Sequence, residues 1–305
     1  MLKNSKFRIG LGVAAAIALV GFANIPQAHA QKKDAKSAKP ANSAKNGATL
    51  LREGLAALDK REFAIAAQSF GQAAEKGQPD GAFYMARMFE LGVGIKADPN
   101  AAINLYTEGS KKGSALAMNR LGMLHLEGLG VLQDYEKGAK LVCGAAEKGD
   151  ANGQFNCALV HLEGRGTKKN EAKGATHLQK AAQQNHIGAQ NILAQAYISG
   201  AGVKQDKKKA LQLFQKTAAV GNPVGLFSLG QAYALGLGVK KDLSKAHAYF
   251  NLAATRQHPD ALEARQAIER QLKPEQIIAA HGLARAWRPV GGTNSESKKL
   301  RDKKK

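Results

Sequence analysis

Cys143 and Cys157 are the only thiols in 305 residues. Two thiols can form a disulfide, hold a soft metal or act as nucleophiles, and each use needs partners at defined places. His125 and His161, 36 residues apart, have the chemistry of a pH switch or of half a metal site. No carboxylate or thiolate column accompanies them, so they read as packed rings with one satisfied nitrogen. No metal site and no cofactor is expected. Enzyme chemistry is scarce in the rest of the chain. There is no Gly-x-Ser-x-Gly elbow, no His-Glu-x-x-His and no Gly-Lys-Ser/Thr phosphate loop. Ser295-x-x-Lys298 has the spacing of a β-lactamase fragment, but it lies in a polar tail without the partner motifs. No catalytic residue is assigned, and the chain is not expected to be an enzyme.

The elements that would position these residues come from a repeat. Gly92-x-Gly94 recurs as Gly128-x-Gly130, Gly164-x-Gly166, Gly200-x-Gly202 and Gly236-x-Gly238, each step 36 residues long. A fixed period of this size marks a solenoid whose units stack on one another. One column is always small: Gly81, Ala117, Gly153, Ala189, Gly225. Four residues on comes Met85, Leu121, Cys157, Leu193, Leu229, and four further on Phe89, His125, His161, Tyr197, Tyr233. Offsets of four put these side chains on one face of a first helix, helix A. The glycine pair suits the left-handed turn past its end. Asp98, Asp134, Asn170, Asp206 and Asp242 then fit as N-caps of a second helix, helix B, and Pro99 fits its first position. Helix B carries Tyr106, Val142, Leu178, Phe214 and Phe250 in one column.

These columns resemble the Sel-one-like repeat family, a branch of the tetratricopeptide-type α/α solenoids. Leu121-Gly-Met-Leu-His-Leu-Glu-Gly-Leu-Gly-Val131 and Leu229-Gly-Gln-Ala-Tyr-Ala-Leu-Gly-Leu-Gly-Val239 are similar to its motif. The resemblance covers residues 79–258. It implies an all-α, right-handed α/α superhelical solenoid of 36-residue helix-turn-helix repeats with helical caps. It implies less about function, because the family mostly serves as scaffolds and adaptors with varied partners. His125 and His161 depart from the Tyr usual in the family, and Val142 and Leu178 from a larger ring. Some cysteine-rich relatives have been linked to β-lactam binding, but their Cys pairs in repeat after repeat are missing here.

Cys143 falls on helix B of one unit and Cys157 on helix A of the next, elements that should touch. A bridge between them would close about fifteen residues, worth about 3 kcal/mol on the chain-entropy model. Against it, Cys143 shares a polar column with Thr107, Gln179, Gln215 and Asn251. Two separate small side chains are the other reading, and both stand. The expected partner surface is the concave, helix-A face. It carries Phe83, Asn119, Phe155, Asn191 and Phe227, and one turn on Arg87, Met123, Leu159, Gln195 and Gln231. Asn and Gln would bond a peptide backbone while Phe supplies pockets. Packing of the rings against neighbouring repeats is the alternative.

The net charge is +21, concentrated at the ends. Residues 1–30 pair a basic start at Lys3, Lys6 and Arg8 with an apolar run from Leu11 to Val20 and Ala28-His29-Ala30, which reads as a signal peptide. Residues 31–46, with five Lys and one Asp, read as a basic disordered linker, and 291–305, with six basic and two acidic residues, as a basic disordered tail. Between them lie a tetratricopeptide-like cap at 47–78, five repeats (79–114, 115–150, 151–186, 187–222, 223–258) and a helical cap at 259–290. No transmembrane span is expected in the mature chain. Export to the periplasm is expected, with secretion as the alternative. The function expected is a non-catalytic scaffold or adaptor for a protein or peptide. A structural envelope protein held to anionic lipid or polysaccharide by basic ends is the second reading. A β-lactam or peptidoglycan amide hydrolase comes last, and no nucleic acid partner is expected.

Overall fold

The computed structural model describes residues 45–290. The signal-like segment, the linker up to residue 44 and the tail 291–305 fall outside the described residues.

Each repeat folds as two helices. They are α3 (Pro79–Leu91) with α4 (Pro99–Lys111), α5 (Ala115–Glu127) with α6 (Tyr135–Glu147), and α7 (Ala151–Glu163) with α8 (Glu171–Gln183). Next come α9 (Ile187–Ser199) with α10 (Lys207–Ala219), and α11 (Pro223–Leu235) with α12 (Leu243–Ala254). Before them stand α1 (Gly47–Asp59) and α2 (Phe63–Glu75), and after them α13 (Ala261–Glu269) and α14 (Pro274–Ala286). All fourteen described elements are helices, and from α1 to α13 each packs on its successor, so the repeats form a solenoid.

The ends are fixed locally. Asp98, Asp134, Asn170, Asp206 and Asp242 each accept a hydrogen bond from the backbone N–H three residues on, capping the B helices. Ser114, Asp150, His186 and Asn222 do the same for A helices. The first glycine of each Gly-x-Gly turn closes helix A in the left-handed region, from Gly92 at φ 65° to Gly200 at φ 83°. The second is needed twice over. Gly202 has φ 69°, and a Cβ there would run into the backbone carbonyl of Glu171, the first residue of α8 in the preceding repeat. The turns at Gly166, Gly202 and Gly238 thus seat on the first backbone carbonyl of the previous B helix, while Gly94 and Gly130 meet the side chains of Phe63 and Ile103.

Packing follows the columns. Tyr106, Val142, Leu178, Phe214 and Phe250 are all buried under the A helices. Each such side chain contributes about 1.5–3 kcal/mol relative to exposure. Because each unit touches only its neighbours, stability is summed interface by interface. At the C-terminal end α14 packs on α12. Trp287 lies against the last core cluster with the Arg256 guanidinium 4.6 Å from its ring centre, and the Val290 N–H donates to Ala219 O at 2.7 Å.

Candidate functional site

Much of the helix-A face is built from side-chain pairs that join a helix A to the residue leading into the next helical unit. Phe155 on α7 stacks on His186, the N-cap of α9, with ring centres 4.4 Å apart. One repeat on, Asn191 Nδ2 donates to Asn222 Oδ1 at 3.0 Å. One further, Phe227 stacks on His258 at 4.1 Å. Ring meets ring and amide meets amide at the same two structural positions. Phe83 packs on Tyr84 and Tyr106 at 5.1 and 5.9 Å, and Asn119 Oδ1 accepts from Asn156 Nδ2 at 2.8 Å. Phe227 and Asn191 are buried, whereas Phe83, Phe155 and Asn119 are half-buried. The three rings thus serve packing, Phe83 within its own unit and Phe155 against the cap of the next helix A, and Phe227 presents no open pocket.

One turn along, the face is more open. Arg87, Met123, Leu159, Gln195 and Gln231 are all half-buried. Arg87 donates to Glu90 at 2.7 Å. Glu90 also accepts from Arg120 Nε at 3.0 Å and from the Tyr106 hydroxyl at 2.5 Å. Those donors hold the Glu90 carboxyl below the usual carboxylate range against the opposing effect of burial, which is the largest single influence on it. Burial and Glu90 drive the Tyr106 phenol far upward, so it stays a donor. A cleft of about 210 Å³ opens beside this cluster, lined by Glu90, Tyr106, Arg120, Leu124 and Leu129 among others. Gln195 and Gln231 make no side-chain hydrogen bond to another described residue. The Asn191 Oδ1 is buried without a donor of its own.

A second cluster lies between the repeats 115–150 and 151–186. Cys143 on α6 and Cys157 on α7 are joined by a disulfide, with Cα atoms 4.8 Å apart. Cys143 sits at a half-buried edge of helix B facing α7, a place that suits a bridge as well as it suits the Thr, Gln or Asn of the same column. A disulfide fits an oxidising, extracytoplasmic compartment. His161, one turn after Cys157, and His177 on α8 stack near the sulfurs with ring centres 5.9 Å apart. His177 Nε2 is 3.5 Å from Cys157 Sγ. Burial, reinforced by Lys173 at His161 and by His161 at His177, lowers both imidazoles below their ordinary value. His125, by contrast, is buried alone with Nδ1 3.2 Å from Leu132 O. The histidine the structure brings beside His161 is therefore His177. The signal for His177 was present: its column otherwise reads Leu105, Leu141, Leu213 and Tyr249.

The architecture defines an α-solenoid of stacked helical pairs with one face of half-buried mixed chemistry. The Sel1 repeat pattern matches residues 79–114, 115–150, 151–186, 187–222 and 223–258, more than half of the chain, and the chain belongs to the Sel1 repeat family. That family often mediates protein interactions. A crystal structure of c5321, a protective antigen present in uropathogenic Escherichia coli strains displaying an SLR fold, is 25% identical with a TM-score of 0.54. That match covers 79% of this chain and only 61% of the antigen's length. A Sel1 repeat protein from Oxalobacter formigenes is 22% identical with a TM-score of 0.67, the match covering 79% of this chain and 97% of that one, and shows the shared fold. No curated protein matches the sequence. Among the described residues no helix is long and apolar enough to cross a membrane.

Proposed function

We propose that the chain is an exported, non-catalytic adaptor, most simply periplasmic, that holds a protein or peptide along its helix-A face. The observation that carries this reading is the pair Gln195 and Gln231. These two amides stand one repeat apart on equivalent turns, half-exposed, with no internal hydrogen bond. An amide offers a donor and an acceptor at once, which suits an extended peptide backbone. Met123 and Leu159 continue the same column as apolar contacts, and the Arg87–Glu90–Arg120 cluster ends it with charge. A bound segment would run polar backbone over the glutamines, apolar side chains over the middle repeats and a polar group at the charged end.

The test places a photo-crosslinking residue at 195 or 231 in living cells. A distinct adduct is expected that is lost when the other glutamine is changed to Ala, with helicity unchanged. Equal capture from the exposed Lys216 on α10 would refute a helix-A site. A second reading has its own observation: Lys137, Lys173, Lys209 and Lys245 recur in register and are all exposed. A row of cations suits an anionic envelope surface, although Lys209 and Lys245 lie 3.8 and 3.3 Å from the carboxylates of Asp206 and Asp242. Binding to anionic vesicles that falls steeply with salt and is lost on changing the four lysines to Glu would favour it.

A further inference from the structure

We propose that Cys143, Cys157, His161 and His177 form a redox-gated zinc site: a disulfide when oxidised, and a Cys2His2 centre for Zn2+ when reduced. The four come from three consecutive helices, α6, α7 and α8. Cys157 and His161 are four apart on α7 and so share a helix face. One ligand atom from each of Cys143, Cys157 and His161 lies within 4.8 Å of the others. His177 Nε2 adds a fourth at 3.5 Å from Cys157 Sγ. Tetrahedral zinc with Zn–S about 2.3 Å and Zn–N about 2.0–2.1 Å has an S···N edge of about 3.5 Å, so that spacing is already in place. To complete the tetrahedron the two sulfurs must part and the His161 and His177 rings, whose centres are 5.9 Å apart, must close on the metal.

The repeat supplies independent evidence. At three of the four positions this locality departs from its column, and the fourth, His161, shares its column with His125. Cys157 replaces Met or Leu, His177 replaces Leu or Tyr, Cys143 replaces Thr, Gln or Asn, and His161 stands where three of the other units have Phe or Tyr. Two columns that are apolar or aromatic in every other unit, those of Cys157 and His177, turn into metal-ligand types in one place, with Cys143 across the interface and His161 one turn along. The Nδ1 of His177 is moreover buried and without a hydrogen-bond partner, while the Lys168 backbone bonds the His161 ring. A solenoid packed for stability alone would keep Leu at 177. Either imidazole nitrogen can ligate, and two thiolates with two neutral imidazoles make a centre of zero net charge with Zn2+. Lys173, Lys180 and Glu147 are the charged neighbours of the rings. His161 and His177 are half-buried, which leaves a way in from solvent.

The redox step balances as ordinary thiol–disulfide exchange. A dithiol reductant attacks one sulfur as its thiolate, passes through a mixed disulfide and leaves as its own disulfide. Two electrons and two protons end on Cys143 and Cys157 as thiols. Zn2+ then displaces both thiol protons to solvent as the thiolates ligate.

The test uses the full chain, reduced with a phosphine and titrated with Co2+ and with Zn2+ against a chromophoric chelator. One equivalent is expected, with sulfur-to-cobalt charge transfer and tetrahedral d–d bands displaced by zinc. The unreduced chain should show neither. His177→Leu restores the residue of the neighbouring repeats and keeps the fold, yet should weaken Zn2+ binding at least 10-fold, the scale on which even outer-shell changes act. His161→Tyr should act alike. Absence of stoichiometric uptake by the reduced chain overturns the proposal. So does unchanged affinity in His177→Leu, or equal uptake by the oxidised chain.

Discussion

Exchanging one aromatic pair for the amide pair of the next repeat tests whether the units are joined by matched partners. Phe155 and His186 occupy the positions that Asn191 and Asn222 hold one repeat on. Phe155→Asn removes a half-buried ring, at a cost of about 2 kcal/mol in lost burial, and leaves an amide facing an imidazole. His186→Asn preserves the helix cap, since Asn is a good N-cap, but loses the stack, worth about 0.5–1.5 kcal/mol. The double variant recovers an amide–amide bond worth about 0.5–1.5 kcal/mol. It should therefore be less destabilised than the sum of the singles by about 1–2 kcal/mol. Urea unfolding followed by circular dichroism measures the three changes. Exchange of the Ala189 amide, which donates to His186 Nδ1 at 3.1 Å, reads the same interface locally. Singles that add to the double within about 0.5 kcal/mol would refute pairwise matching.

Other outcomes follow from the same structure. Burial raises the Asp150 carboxyl to about 6, over the opposing bond from the Gly153 N–H. Its contribution to stability is thus present below about pH 4 and lost as pH rises through about 6. Asp150→Asn should remove that slope in thermal melts and add about 1–2 kcal/mol at pH 7.5. The half-buried His186 and His258 behave oppositely. Desolvation lowers both, so their contribution holds above about pH 6.5 and falls away in acid. Melts in His186→Asn should lose part of the acid sensitivity that the parent shows below that pH. Gly202→Ala should cost more than about 1 kcal/mol, because it strains a left-handed turn and pushes on the Glu171 carbonyl. Gly282→Ala on α14, where nothing lies within 4 Å, should be neutral or stabilising in the same urea titration.

Much of the architecture was legible because the same small set of local rules is written five times. Asp98 to Asp242 announce one helix start, and Gly92 to Gly236 one helix end, and the structure uses them as caps in every unit. Averaging over columns hides what is particular to one unit. His177 stands alone in a Leu column, so it reads as a tolerated exception until α7 and α8 bring it to the sulfurs. The aromatic ladder was legible as residues but not as contacts. Phe155 finds its partner in the cap of α9, outside its own helix pair, and no spacing within one helix shows it. The thiol pair was open to both readings because a polar column says only that a position is at an edge. Which edge it is depends on the neighbouring helix.

A solenoid stabilised only between neighbours has one further consequence for the bridge. Cys143 and Cys157 join α6 to α7, and so cross the junction between the repeats 115–150 and 151–186. Reduction in metal-free buffer removes about 3 kcal/mol of chain-entropy stabilisation for a loop closed over 14 residues. In a globular core that loss would be shared by the whole domain. Here it falls on one interface of a linear array, so the array should open there first. Hydrogen exchange of the reduced chain should accelerate in α6 and α7 well before α11 and α12. Zinc added to the reduced chain should restore protection at that junction, since a ligated metal crosses the same interface. Uniform acceleration from α3 to α12 would show that the helices unfold as one unit, and the reasoning from nearest-neighbour stacking would fail with it.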